Sequence, residues 1–210
     1  MDKYITMSFK RFAENLSLKT ATPGGGSASA AASALGISLL IMAARFTVNK
    51  THSKKKNEKI KKIVSALVKA QRRMLLLVDR DAEVYESVRQ ALKLPKGGRD
   101  EITFRNKKIQ SELKKALSVP VRAYEISSGV IPIAELLIKT GNKNLISDSY
   151  CGVSLLRAGI ETAKFNIDAN TKYISDSKFR TSFSVKYDRL IGASLAKIKK
   201  ISEKYESKNN

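Results

Sequence analysis

The sequence predicts an all-α protein: a single-domain helical bundle of about six to seven helices with one long central helix. Three observations lead there. Apolar residues recur at helical spacing along most of the chain, and no segment alternates apolar and polar residues long enough to make a strand. The 210 residues include only four prolines, at positions 23, 95, 120 and 132, so long segments are free to stay helical. A hydrophobic share of 42% with 28% charge is that of a globular chain rather than a disordered one. No repeat or linker divides it, and residues 1–210 read as one domain with room for a sizeable core.

The elements follow in order. Phe9, Phe12, Ala13 and Leu16 are spaced for a short first helix. The stretch TPGGGSASAAASALG, from Thr22, then sets three glycines ahead of a run of small residues. Ser27 is predicted to cap a second helix ending near Val48. Ala or Gly at positions 28, 30, 31, 32, 34 and 36 lets another helix come close, within the bundle or across a subunit contact. The segment from Lys50 to Lys62 reads as a solvated bend or the start of the next helix. From about Asn57 to Leu92 the residues Ile60, Val64, Leu67, Gln71, Met74, Val78, Asp81, Tyr85, Val88 and Leu92 step by four and three. That is a heptad seam, on a helix roughly 50 Å long. The run LPKGG at 94–98 ends it. A further helix is predicted over 100–118, then one from Pro120, kinked at Pro132 and stopped at Gly141. Another runs from Asn144 to about Ile167, capped through Ser147 or Asp148. The last carries Tyr187, Ile191, Leu195, Ile198, Ile201 and Tyr205.

Composition removes several chemistries. Cys151 is the only cysteine and His52 the only histidine, the latter in a lysine-rich segment where it reads as solvated. Zinc, haem and Ser–His–Asp sites therefore lack their residues. Catalysis must run on carboxylates, amines, hydroxyls or backbone dipoles, with no metal. The N-terminus has no signal-peptide core, and the uncharged run from Ala28 to Ala44 is shorter than a span and carries serines. It reads as a buried helix of a cytoplasmic protein. The net charge of +21 suits nucleic acid, an anionic membrane face or a polyanionic small substrate, or is a lysine-rich habit of the source organism.

Three places can carry chemistry. Asp81 lies on the apolar seam, where burial disfavours the charged form, raises the pKa and fits the group to trade a proton near neutral pH. The bland alternative is an Asp that fixes register by pairing with Lys or Arg. Asp79 and Glu83 project away from the seam and read as solvated or interfacial. The glycine loop offers backbone N–H groups to an anion, or is only a sharp turn; it is neither GxxxxGK[ST] nor GxGxxG. The stretch GNKNLISD, 141–148, collects Asn142, Asn144, Ser147 and Asp148, groups suited to a heterocycle or simply to a turn and cap.

Taken in order, TPGGGS, VDRDAEVYESV with LPK after it, SVP, GN..LISD and AKFNID ending at Asp168 resemble one family, over about Phe12 to Leu195. It is the cyclodeaminase/cyclohydrolase family of folate metabolism, found as stand-alone proteins and as the C-terminal half of formiminotransferase-cyclodeaminase. The resemblance implies an all-helical enzyme, at least a homodimer, with no tightly bound cofactor and a tetrahydrofolate derivative as substrate. It implies either release of ammonia from 5-formiminotetrahydrofolate on closing the 5,10-methenyl ring, or hydrolysis of that ring to 10-formyltetrahydrofolate. The cyclodeaminase domain is the nearer match, and its reaction implies a separate formiminotransferase. In the family's DxDAE motif the second aspartate is catalytic, which here is Asp81. The match also implies folate-binding positions at Gly24, Gly25, Gly26, Ser27, Lys96, Arg105, Asn142, Asp148 and Asn166. The chain departs from the family at Thr103 and Phe104 and from Asn170 to Arg180, in the substrate-entry region. Folates carry polyglutamate tails, so the clusters at Lys50–Lys62 and Lys93–Lys108 are expected to serve such a tail. A reading of a different class, a basic helical module for RNA or DNA, rests on +21 and the Lys50–Lys62 cluster and leaves the seam aspartate and the ordered motifs unexplained.

Overall fold

In the computed structural model, residues 3–49 and 53–209 are described, with only the backbone for 205–209. Lys50 and His52, and the side chain of Tyr205, lie outside the described residues. The described residues form seven α-helices: α1 (Phe9–Ser17), α2 (Gly25–Thr47), α3 (Lys54–Leu92), α4 (Arg99–Ala116), α5 (Ser118–Thr140), α6 (Ile146–Thr171) and α7 (Ser177–Asn209). Short 3-10 turns sit at Tyr4–Thr6 and Lys143–Leu145, and no strand occurs among the described residues.

The bundle is organised round α2, which packs most extensively against α6 and α3 and also touches α5. By length and composition α2 is apolar enough to cross a bilayer, but here it is the core helix, with Ala30, Ile37, Leu40 and Ala44 fully buried. Its small residues serve an intimate crossing with α6. A Cβ on Gly36 would lie 2.7 Å from the Gly152 carbonyl oxygen, and a Cβ on Gly152 would lie 2.9 Å from that of Gly36. Two buried serines of α2 find partners on its neighbours, one on α6 and one on α5. Ser29 donates to the Gly159 carbonyl at 3.0 Å, and Ser33 accepts from the Ser127 hydroxyl at 3.2 Å.

The long helix α3 begins three residues before the predicted start, because the Ser53 hydroxyl accepts the Lys56 N–H at 3.3 Å and caps it. At 39 residues it is about 58 Å long. Along its first two-thirds the seam packs as predicted, with Ile60, Leu67, Met74 and Val78 buried. The polar seam residue Gln71 donates to the Ser38 hydroxyl of α2 at 2.6 Å. Beyond Val78 the seam leaves the core: Asp81, Tyr85, Val88 and Leu92 face a cavity. The helix stops at Leu92, ahead of Pro95, and Gly97 N–H donates to the Glu101 carboxylate at 2.8 Å as α4 begins.

Two predicted caps are not used. The helix containing Ser27 begins two residues earlier, at Gly25, with Gly24 at its N-cap, so Ser27 is already inside the first turn and its hydroxyl turns to α3. Likewise neither Ser147 nor Asp148 caps α6. Asn142 caps the 3-10 turn by accepting the Asn144 N–H at 2.9 Å, and that turn leads into α6 through Leu145. Helices α4 and α5 meet at the buried Leu117 with no intervening loop. Pro120 falls in the first turn of α5, and α5 runs on through the exposed Pro132 to end at Gly141. In α7 the predicted stripe is buried at Tyr187, Ile191, Ile198 and Ile201.

Gly36→Ala tests the α2–α6 crossing. Alanine favours a helix over glycine by about 1 kcal/mol, yet here the methyl meets a backbone carbonyl that cannot turn aside. A net loss of about 1–3 kcal/mol in urea unfolding is expected; a gain in stability would show that the helices are not in close contact.

Candidate active site

The site is built where the start of α2 meets the last third of α3. The first turn of a helix has N–H groups without intrahelical acceptors. The Ser27 N–H is satisfied from outside the helix: it donates to Asp81 Oδ2 at 3.0 Å. The Ser27 hydroxyl donates to the Val78 carbonyl at 2.7 Å and lies 3.3 Å from the same carboxylate oxygen. Asp81 thus stands at the positive end of α2, one turn of α3 beyond Val78. A side chain on Gly26 would overlap the Asp81 carboxylate, so this close approach requires glycine. The N–H groups of Gly25 and Gly26 have no acceptor among the described residues.

The Asp81 pKa is raised above the usual aspartate value. Burial is the main cause, opposed by the Ser27 N–H and then the Ser27 hydroxyl, both of which favour the carboxylate. No Lys or Arg pairs with it in the described structure, so the register-fixing ion pair is absent there. Its neighbours differ. Asp79 accepts the Tyr4 N–H at 2.6 Å and ties down the N-terminal turn, and Glu83 pairs with Arg80 at 2.7 Å in solvent.

Asp81 opens on a cavity of about 540 Å³ with two characters. Its polar end holds Gly24, Gly25, Gly26, Asp81 and Asn166. Its apolar end is walled by Val88 and Leu92 from α3 and by Ile109 and Leu113 from α4. Asn166 of α6 donates through Nδ2 to the Thr162 carbonyl at 2.9 Å, with its amide beside Gly25. Of the remaining predicted residues, Ser27 lies behind Asp81, fully buried. Lys96 is exposed in the α3–α4 turn, and Arg105 donates to the Leu92 carbonyl at 3.0 Å, with its Nε buried and unpartnered. Neither lines the cavity.

Asn142 and Asp148 stand elsewhere. The Asn142 N–H donates to Thr47 Oγ1 at 3.0 Å and its Nδ2 to the Phe46 carbonyl at 3.2 Å, at the far end of α2. Thr47 is about 33 Å along the helix from Gly25, and Asp148 is in the first turn of α6 beyond it. A larger cavity of about 820 Å³ lies there, beside Asn142 and Lys143. Size therefore does not single out the site; the carboxylate's state does, since Glu135 of the larger cavity is paired with Lys139 and lowered in pKa while Asp81 is raised. Sequence reading missed Gln110, Asn170 and Tyr173, which also line the Asp81 cavity. Only Tyr173 and Asn170 had left a trace, as part of the segment where the chain departs from the family.

Fold and site define a class: an all-α protein whose cavity holds one carboxylate of raised pKa, with no cluster of three metal-binding side chains among the described residues. The chain belongs to the formiminotransferase-cyclodeaminase family, whose model matches residues 8–189. It is 30% identical over 203 residues to the methenyltetrahydrofolate cyclohydrolase of Methylorubrum extorquens, covering 97% of this chain and 98% of that protein. It is 30% identical over 173 residues to the formimidoyltransferase-cyclodeaminase of Rattus norvegicus, covering 82% of this chain but only 32% of that longer protein. The crystal structure of a formiminotetrahydrofolate cyclodeaminase from Thermotoga maritima superposes with a TM-score of 0.80 at 28% identity, over 95% of this chain and 98% of that one.

Burial of Asp81 has a thermodynamic consequence. Because folding raises its pKa, the ionised group costs stability above its folded pKa, and that cost vanishes below the unfolded value of about 3.9. Asp81→Asn is therefore expected to unfold at a higher temperature than the native protein at pH 7. The gap should close on acidification to pH of about 3.5. Thermal unfolding of both proteins across this range checks it; a gap that widened in acid would mean that Ser27, not burial, dominates.

Proposed function

We propose that this protein acts on the one-carbon bridge of a tetrahydrofolate derivative, with Asp81 as general acid and base. The observation that supports it is the geometry of one carboxylate. Asp81 is half-buried, raised in pKa and oriented by Ser27, at the polar end of a cavity whose other end is apolar. In the cyclodeaminase reading, nitrogen ten attacks the formimino carbon carried on nitrogen five. The formimino group enters protonated, as =NH2+; Asp81 takes the proton released from nitrogen ten and passes it to the amino nitrogen formed by the attack, which leaves as ammonia as the carbon–nitrogen bond breaks and the methenyl cation forms. The same carboxylate suits the cyclohydrolase reading, in which it takes a proton from water attacking the methenyl carbon and gives it to nitrogen five as that carbon–nitrogen bond breaks, the remaining hydroxyl proton passing to solvent as the 10-formyl group forms. The full-length likeness to a cyclodeaminase structure and to a cyclohydrolase gives each reading its support. Neither route calls for a tightly bound cofactor. The free N–H groups of Gly25 and Gly26 are donors for an acceptor atom on the ligand.

The apolar end sets a direction. Leu92 is eleven residues from Asp81 along α3, about 16 Å, and marks the end nearest the α3–α4 turn with Lys93, Lys96 and Arg99. Lys54 to Lys62 lie on the other side of Asp81, about 28–40 Å away along the same helix. On these distances the turn, rather than that cluster, is our candidate for receiving an anionic tail that leaves the cavity. We also propose assembly at least as a dimer, supported by exposed Phe9, Leu35 and Leu75, which line one groove between α1, α2 and α3. Light scattering at micromolar concentration should then give at least twice the chain mass of 23.2 kDa.

Asp81→Asn should lower turnover by about 10²–10⁴-fold while folate still binds. Both folates are supplied to the pure protein and each product is followed. A variant keeping more than a tenth of the native rate would remove Asp81 from proton transfer. For the tail, KM should be lower for a polyglutamylated than for a monoglutamyl substrate, with the gap shrinking as salt rises above about 0.1 M. Exchanging Lys93, Lys96 and Arg99 for Gln should erase the gap, and exchanging Lys54, Lys55 and Lys56 should not. Equal constants for both substrates in the native protein would make the lysines a solvated surface only.

A further inference from the structure

We propose that Tyr173 is a specificity-determining wall of the Asp81 cavity, on which a flat aromatic part of the ligand stacks, and that Gln110 is the positioning residue that holds it there. This rests on the folate reading of the site. Residues 172–176 join α6 to α7 without regular structure, yet they are fixed from several sides. The side-chain amide of Gln110, on α4, uses both of its ends on this segment. Its Nε2 donates to the Tyr173 carbonyl at 3.2 Å and its Oε1 accepts the Ser175 N–H at 2.8 Å. Between those two bonds Ile174 is fully buried against Leu113 and Leu117. Arg180 donates to the Ile174 carbonyl at 3.1 Å, and Asp176 pairs with Lys114 at 3.2 Å.

The backbone of the segment is thus held while one side chain is left over. The Tyr173 ring lines the cavity, is 67% exposed, and has no hydrogen bond from its hydroxyl and no ring partner among the described residues. A large exposed aromatic on a tied-down loop covers nothing in this chain. It does border a slot whose other apolar walls are Val88, Leu92 and Ile109, and to which Tyr85 adds a second exposed ring from α3. With its backbone held before binding, the ring has only its own side-chain torsions to order on stacking, so holding the loop lowers the cost of binding. Aromatic stacking is worth about 0.5–1.5 kcal/mol beyond area burial, or roughly 2–10-fold in affinity.

The probe is 5-formyltetrahydrofolate, titrated by calorimetry into the native protein and variants, with KM and kcat measured in parallel. Tyr173→Ala should weaken binding and raise KM by roughly 2–10-fold with little change in kcat, and Tyr173→Phe should stay near native. Gln110→Ala should move Kd in the same direction, but add nothing once Tyr173 is Ala, because it acts through that ring. Gln110→Met removes both bonds while keeping the side chain's length and adding no charge, so it serves if the alanine variant folds poorly. Native affinity in Tyr173→Ala, or losses that add in the double variant, would overturn the proposal while leaving the folate reading in place. No binding of the probe to the native protein would instead overturn the folate reading, and this inference with it.

Discussion

The site depends on one hydrogen bond between helices, from the Ser27 N–H to Asp81. It does three things at once. It satisfies an N–H that α2 cannot satisfy itself, it fixes the angle at which α3 passes the start of α2, and it holds a carboxylate where burial alone would make the charge costly. Remove the glycine at position 26 and the bond cannot form, because a side chain would occupy the place of the carboxylate. The serine hydroxyl reinforces the arrangement by donating to the Val78 carbonyl of α3, so a single residue binds α3 twice, its side chain to a backbone carbonyl and its backbone N–H to the carboxylate.

That bond is useful only if α2 cannot move. The α2–α6 crossing at Gly36 and Gly152 supplies the rigidity, with helices close enough that the buried Ser29 hydroxyl reaches the Gly159 carbonyl across the contact. Packing at this density transmits position rather than absorbing it. Asn166 rides on the same α6, so the helix that locks α2 in place also brings the amide next to Gly25.

Much of this was legible because it is local and periodic. The seam of α3 gave its length and the position of Asp81, and the small-residue run gave the buried character of α2. Helix starts were less legible. Ser27 looks like a cap because a serine before an apolar run usually is one, but glycine entered the helix first and the hydroxyl found a tertiary acceptor. Ser147 and Asp148 lost the capping role to Asn142, which a 3-10 turn placed one step earlier. The cavity walls from other helices were not legible at all. Gln110 carries no pattern, since its two partners are 63 and 65 residues away and belong to a segment with no periodicity. Asn142 shows the converse: its motif was visible, but its distance from Asp81 follows from the length of α2, which no motif records.

The divided seam of α3 has a consequence for how such a chain can diversify. One repeating pattern serves two ends: before Val78 it is cemented into the core, and after it the same positions face the cavity. Substitutions in the first part must answer to packing. Those at Tyr85, Val88 or Leu92, partly open to solvent, answer mainly to whatever occupies the slot. The fold can therefore be inherited intact while the fit to a ligand drifts, and both histories are written along a single helix.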